Sequence, residues 1–178
     1  MKSSFVILAL VLCLVEPRLS AQESPAKPGP EIKKLSLFVG SWKLNEVDEA
    51  SPFGPAGAAT FDTEIQFVHN GLFVEERGTG RLAGQPNSYT IVYHYDSEAH
   101  TYRSFFYDSN GSAMHAEGTL EGNTWRSHWS QIVHGKSYKF KSSSIFSSDG
   151  KTFTYVWSYS EDGATWKPWI QGKAVKVR

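Results

Sequence analysis

The sequence predicts an all-β domain: a closed or nearly closed antiparallel up-and-down barrel of roughly ten strands, with a short N-terminal helical plug. Three observations predict it. Aromatic residues are dense, with 11 Phe, 8 Tyr and 6 Trp in 178 residues. β-Branched and aromatic residues alternate with polar ones along most of the chain, the period-two mark of half-buried strands. Six turn pairs punctuate that alternation: Asn70-Gly71, Asn110-Gly111, Gly122-Asn123, His134-Gly135, Asp149-Gly150 and Asp162-Gly163. Such pairs tolerate the positive φ angles of two-residue hairpin loops. A meander this long leaves two open edges unless it closes on itself.

The first 21 residues read as a signal peptide. Met1-Lys2 is a short positive start, Phe5 to Val15 is an unbroken apolar run, and Leu19-Ser20-Ala21 is a small-residue end. This pattern predicts a secreted protein, exported to the periplasm or the extracellular space. The run is too short to span a bilayer, which needs about 20 residues, so no transmembrane segment is expected. The only cysteine, Cys13, lies inside it. The mature chain therefore has no disulfide, no thiolate metal site and no Cys nucleophile. Residues 22–30 (QESPAKPGP) form a Pro-rich tether. Residues 31–178 form the barrel domain, large enough to bury a core without disulfides. Within it, Glu31 to Val39 places Ile32, Leu35 and Phe38 on one face of one or two helical turns. Gly78 to Gly84 (GTGRLAG) has no helix after it to bind a phosphate and is expected to be a mobile loop at the barrel mouth.

Treating each turn pair as a two-residue loop fixes the register. Phe67 then faces Val74, Ile65 faces Glu76, and Glu64 faces Arg77 as an exposed ion pair. A four-residue loop Ser97–His100 puts His94 opposite Arg103 and Val92 opposite Phe105. Turning at Asn110-Gly111 puts Arg103 opposite Gly118 and Phe105 opposite Ala116. The later turns pair Gly118 with Ser127, Trp129 with Phe140, Ser142 with Trp157, Ser144 with Tyr155, Tyr159 with Trp166 and Tyr155 with Ile170. One face of the meander stays aromatic throughout, and Arg103 and His94 fall on it. Ile91, Tyr93, Tyr95, Tyr102 and Phe106 then form an outer aromatic patch, a candidate homodimer surface.

Leu35 to Trp42 (LSLFVGSW) places a helical turn before a Gly-x-Trp that opens the first strand. With FVHNGLFVEERGTG (Phe67–Gly80) and YDSEAHTYRSFFYDSNG (Tyr95–Gly111), it resembles the lipocalin-like (calycin) superfamily, and within it a family of exported, uncharacterised bacterial proteins. The resemblance implies that the helix plugs one barrel end. It also implies that Trp42 packs there beneath a basic residue of the last strand, Lys176 or Arg178. The Thr-Asp-Tyr motif of lipocalins is absent, and the closer family offers no catalytic residues to carry over.

Zero formal net charge gives no footprint for nucleic acid. The six histidines show no metal spacing, no Gly-x-Ser-x-Gly elbow is present, and no cofactor is implied. The expected site is the interior. Arg103 lies among small residues, an arrangement that leaves room for a ligand. Arg103, His94, Glu76 and Tyr155 supply its polar contacts, and Trp129, Trp157, Phe140 and Phe105 its apolar wall. The expected function is a secreted barrel binding a small, mostly apolar or amphipathic molecule, with Arg103 suited to a carboxylate on it. One alternative is an enzyme (isomerase, cyclase or hydrolase) using Glu76 and His94. The other is an extracytoplasmic protein-interaction module with a filled barrel, where Arg103 pairs with Glu76.

Overall fold

The computed structural model describes residues 27–177. The expected signal peptide, the expected tether up to residue 26 and Arg178 lie outside the described residues. The chain begins with helix α1 (Pro30–Lys34) and a 3-10 turn (Leu35–Leu37). Pro30 suits the first helical turn because it lacks only an N–H that would be unpaired there. Ile32, Leu35 and Phe38 are buried, as their spacing predicts.

Ten strands follow: β1 (Gly40–Asp48), β2 (Gly57–Val68), β3 (Phe73–Leu82), β4 (Gln85–Asp96) and β5 (Thr101–Asp108), then β6 (Ala113–Glu121), β7 (Thr124–Val133), β8 (Lys136–Phe146), β9 (Thr152–Ser160) and β10 (Lys167–Lys176). Each pairs with its neighbour in sequence, and β1 pairs with β10, so the sheet closes into an antiparallel barrel. All six turn pairs fall between consecutive strands.

The helix closes one end, here called the lower end. Phe38 packs on Phe146, Tyr93 and Trp125 with ring centroids 4.8, 5.5 and 5.7 Å apart. Trp42 Nε1 donates to the Phe38 carbonyl at 2.8 Å. Lys176 Nζ lies 5.0 Å from the centre of the Trp42 ring, so the basic residue expected over this tryptophan comes from β10. The Tyr102 hydroxyl donates to the Glu31 carbonyl at 3.0 Å and ties α1 to β5. The upper end carries the β1–β2 segment, residues 49–56, pinned by an antiparallel bridge between Ser51 and Gly54. Phe53 from that segment lies 4.8–5.1 Å from the rings of Tyr138, Phe140, Tyr159 and Trp169.

The expected registers hold for β2–β3, β4–β5 and β6 through β9. Two do not. The β5–β6 loop is one residue longer than a two-residue turn pairing implies: Arg103 faces Glu117, not Gly118, and Ser104 faces Ala116. Asp108 builds that loop, its Oδ1 accepting from the backbone N–H of Asn110 and Ser112 at 2.9 Å each. The second departure is between β9 and β10. An irregularity between Pro168 and Ile170 sets Tyr155 opposite Gly172 and Tyr159 opposite Lys167. Gly78–Leu82 is strand rather than mouth loop, and it turns through Ala83-Gly84, both at positive φ (48° and 78°). Glu64 does face Arg77 across β2–β3, but Arg77 pairs with Glu75 at 2.8 Å.

Candidate functional site

A one-residue slip reverses which face looks inward. On β4 and β5 the inward residues are Tyr89, Ile91, Tyr93, Tyr95, Tyr102, Ser104 and Phe106; Tyr93 and Tyr102 are buried. The aromatic patch expected on the outside is therefore core, and the homodimer surface built on it falls with it. Arg103, His94 and Phe105 are on the outer wall. Arg103 pairs with Asp96 at 2.9 Å and Glu117 at 3.3 Å, with its side chain 34% exposed. The His94 ring lies parallel to Phe105 at 6.1 Å, and Phe105 is 47% exposed. Arg103 cannot anchor a ligand inside the barrel or pair there with Glu76. His94 cannot share a substrate with Glu76, because the wall stands between them. The remaining expected site residues, Glu76, Tyr155, Trp129, Trp157 and Phe140, all face inward.

The structure adds two acids to the interior. Alternation along β1 from buried Trp42 and Leu44 carries Glu46 and Asp48 to the same face. Tyr155 Oη donates to Glu46 Oε2 at 2.7 Å. Glu76 is 7% exposed and accepts two phenolic hydrogen bonds, from Tyr89 and Tyr93, at 2.8 Å each. With Tyr89 Oη donating to Glu76, Thr63 Oγ1 at 3.2 Å is left as the donor to Tyr89. The two clusters share one electrostatic space: the Glu76 charge reaches both Glu46 and Tyr155.

Burial governs these acids. It pushes the Glu46 carboxyl up to about 7, against the Tyr155 hydrogen bond; the Asp48 and Glu76 charges add to the rise. Burial raises Asp48 as well. Glu76 is also raised by burial, with both phenols pulling the other way. No cation among the described residues offsets them. Every Lys, Arg and His among the described residues is exposed except Lys176, Arg103 and His94, which are half-buried. Two of those lie on the outer wall, and the third sits over Trp42 at the lower end.

Glycines let three aromatic rings pack close against the barrel wall. A Cβ on Gly78 would stand 2.1 Å from the Tyr89 ring, on Gly172 2.2 Å from the Tyr155 ring, and on Gly118 2.7 Å from the Trp125 ring. Each ring occupies the place that a side chain on the neighbouring strand would take. Glu46, Asp48, Tyr89, Ser104, Phe106 and Trp157 face inward yet keep intermediate exposure. In the upper interior three buried polar atoms have no partner among the described residues: Asp48 Oδ1, Asn87 Nδ2 and Trp129 Nε1. Trp129 is stacked on Phe140 at 5.0 Å and edge-packed on Trp157 at 5.3 Å. Asp48 is opposite Ile170, which is opposite Trp157, so acid and indoles border the same region.

A depression of about 590 Å³ also lies across β6–β9, bordered by Arg126, His128 and Lys141. Its charges are already engaged: Arg126 with Glu121 at 3.1 Å, and Lys141 over the Trp166 ring at 4.2 Å. Among the described residues, no group of three His, Cys, Asp or Glu side chains is placed to hold a metal ion. No described helix is long and apolar enough to cross a membrane.

The fold is similar to that of a solved protein, in the crystal structure of Rv2717c from M. tuberculosis. The TM-score is 0.58 at 13% identity, covering 85% of this chain and 100% of that one. This likeness extends to the fold alone. No curated protein matches the chain. Residues 27–176 match the family described as "Protein of unknown function (DUF1579)", and the chain belongs to that family.

Proposed function

We propose that the protein is an exported binding barrel that holds a small, flat, mostly apolar molecule in the upper half of its interior. The observation that carries this reading is the set of unpartnered polar atoms on Asp48, Asn87 and Trp129 inside an aromatic-walled space. A buried donor or acceptor without a partner costs about 1–3 kcal/mol, and a finished core avoids several of them in one region. A few convergent polar groups on an apolar wall are what orients a ligand. The signal-peptide pattern of residues 1–21 supports export. With Arg103 outside, the carboxylate-bearing ligand drops out, because the upper interior presents acids and, among the described residues, no cation.

The test uses prodan, a flat neutral naphthalene ketone whose fluorescence reports an apolar site. The wild type is expected to bind it saturably. Ser104→Phe, which fills the interior, should abolish binding, and Arg103→Met, on the outer wall, should leave it unchanged. Native mass spectrometry of protein from an exporting host should show a retained small molecule. A folded wild type with neither a retained mass nor saturable prodan binding would overturn the proposal.

A second reading rests on Glu46. A carboxyl held near 7 can both give and take a proton at neutral pH, the requirement for general acid–base catalysis. Glu46 thus replaces the Glu76–His94 pair as the proton-transfer candidate. If the barrel turns its ligand over, the retained molecule should change mass with time, and Glu46→Gln should stop the change.

A further inference from the structure

We propose that the ligand presents a protonated nitrogen to Glu46 and Asp48, so that its class is a small aromatic or cyclic amine. The inference rests on the binding reading above and names the chemistry of the same site. Its ground is an imbalance of charge. Three acids, Glu46, Asp48 and Glu76, face the interior, and every basic side chain among the described residues is on the outer wall, at a rim or over Trp42. Buried acids are normally matched by a cation or by donors.

The three differ in what they lack. Glu76 has both carboxylate oxygens engaged by phenols. Glu46 has one oxygen on Tyr155, and its other oxygen has no hydrogen-bond partner among the described residues. Asp48 Oδ1 has no partner. Free acceptor capacity therefore belongs to Glu46 and Asp48, two residues apart on one face of β1. Burial raises both carboxyls, a cost that a nearby cation would relieve.

The wall suits the same guest. Asp48 is next but one to Trp157 around the barrel, with Ile170 between them, and Trp157 packs on Trp169 at 6.1 Å. Aromatic faces beside carboxylates attract an ammonium group through the ring quadrupole. Independent of the acids, Trp129 is 7% exposed and Asn87 8%, and each leaves a donor unpaired in the upper interior. These donors mark the space as built for a second molecule and call for an acceptor on it.

Three probes share an indole ring and differ in charge: tryptamine (cationic), tryptophol (neutral, hydroxyl for ammonium) and indoleacetate (anionic). Isothermal titration at neutral pH is expected to rank tryptamine first, by at least about tenfold over tryptophol, with indoleacetate weakest. Asp48→Asn and Glu46→Gln should each weaken tryptamine about tenfold while changing tryptophol by less than about twofold. Tryptophol binding as tightly as tryptamine, or none of the three binding, would overturn the amine class. In either case saturable prodan binding would leave the binding barrel standing, and its loss as well would overturn both. The wild-type ranking decides the matter even if a variant fails to fold.

Discussion

At the scale of single residues, Glu46 ties stability to pH. Its folded carboxyl titrates near 7, against an ordinary 4.5. The folded state therefore holds a proton that the unfolded chain has already released between those values. The stabilisation this represents is complete below about 4.5 and is lost as pH rises through about 7, a difference of roughly 3 kcal/mol. Asp48 and Glu76 are raised as well and act with the same sign. Urea denaturation of the wild type should show stability falling between about pH 5 and 8, and Glu46→Gln should flatten much of that slope and be the more stable protein at the alkaline end. An unchanged slope in the variant would show that Glu46 is not held protonated. This residue was within reach of the sequence. The resemblance carried by Gly-x-Trp implies that Trp42 packs inside, and strict alternation from it leads through Leu44 to Glu46 and Asp48. The unpartnered donors of Asn87 and Trp129 were not within reach, because an absent partner is a fact of three-dimensional packing.

At the scale of elements, turn chemistry decided what the sequence could tell. Two-residue loops gave the true register across β6 to β9, where Gly122-Asn123, His134-Gly135 and Asp149-Gly150 sit at the turns. At Asn110-Gly111 the Asp108 carboxylate organises a longer loop, and one extra residue turned Arg103, His94 and Phe105 outward. A check on that parity was available in Ala83-Gly84. As a tight turn it pairs Val74 with Tyr93 and Glu76 with Ile91, which puts the β4 tyrosines inside and Arg103 outside. The pair does not read as a turn in the sequence because alanine is a poor residue for positive φ, and no composition rule marks it. The glycines within strands carry a second element-scale consequence. The Tyr155 ring lies on Gly172 of β10, where a Cβ would meet ring carbon Cζ at 2.2 Å and Oη at 2.4 Å. Gly172→Ala should lift that ring off the wall, break its hydrogen bond to Glu46 and push it towards the barrel axis. The expected cost is about 1–3 kcal/mol in chemical denaturation, together with weaker prodan binding. Wild-type stability and affinity in this variant would show that the ring has another place to go.

The whole molecule is built as two unlike halves on one continuous sheet. The lower half is a sealed aromatic core: α1 and Phe38 close it, Tyr102 and Trp42 bond to the closing segment, and Leu35, Ile65 and Val74 are fully buried. The upper half holds Glu46 and Asp48, the unpartnered polar atoms and the half-exposed Phe106 and Trp157, and it is covered by the segment carrying Phe53. Local opening is easiest where few apolar contacts must be broken, so the two halves should differ in stability although their backbone ladders are equally complete. Hydrogen exchange read by mass spectrometry should show this directly. Peptides from the upper ends of strands, such as those spanning residues 47–58, 80–88 and 157–169, should exchange well before those spanning 40–45, 63–68 and 172–176. Saturating the interior with prodan should slow the first group and leave the second nearly as it was, because a ligand in the upper half supplies contacts that the sealed half already has. Equal exchange at both ends, or protection by prodan confined to the lower peptides, would place the weak half and the ligand elsewhere than the structure does.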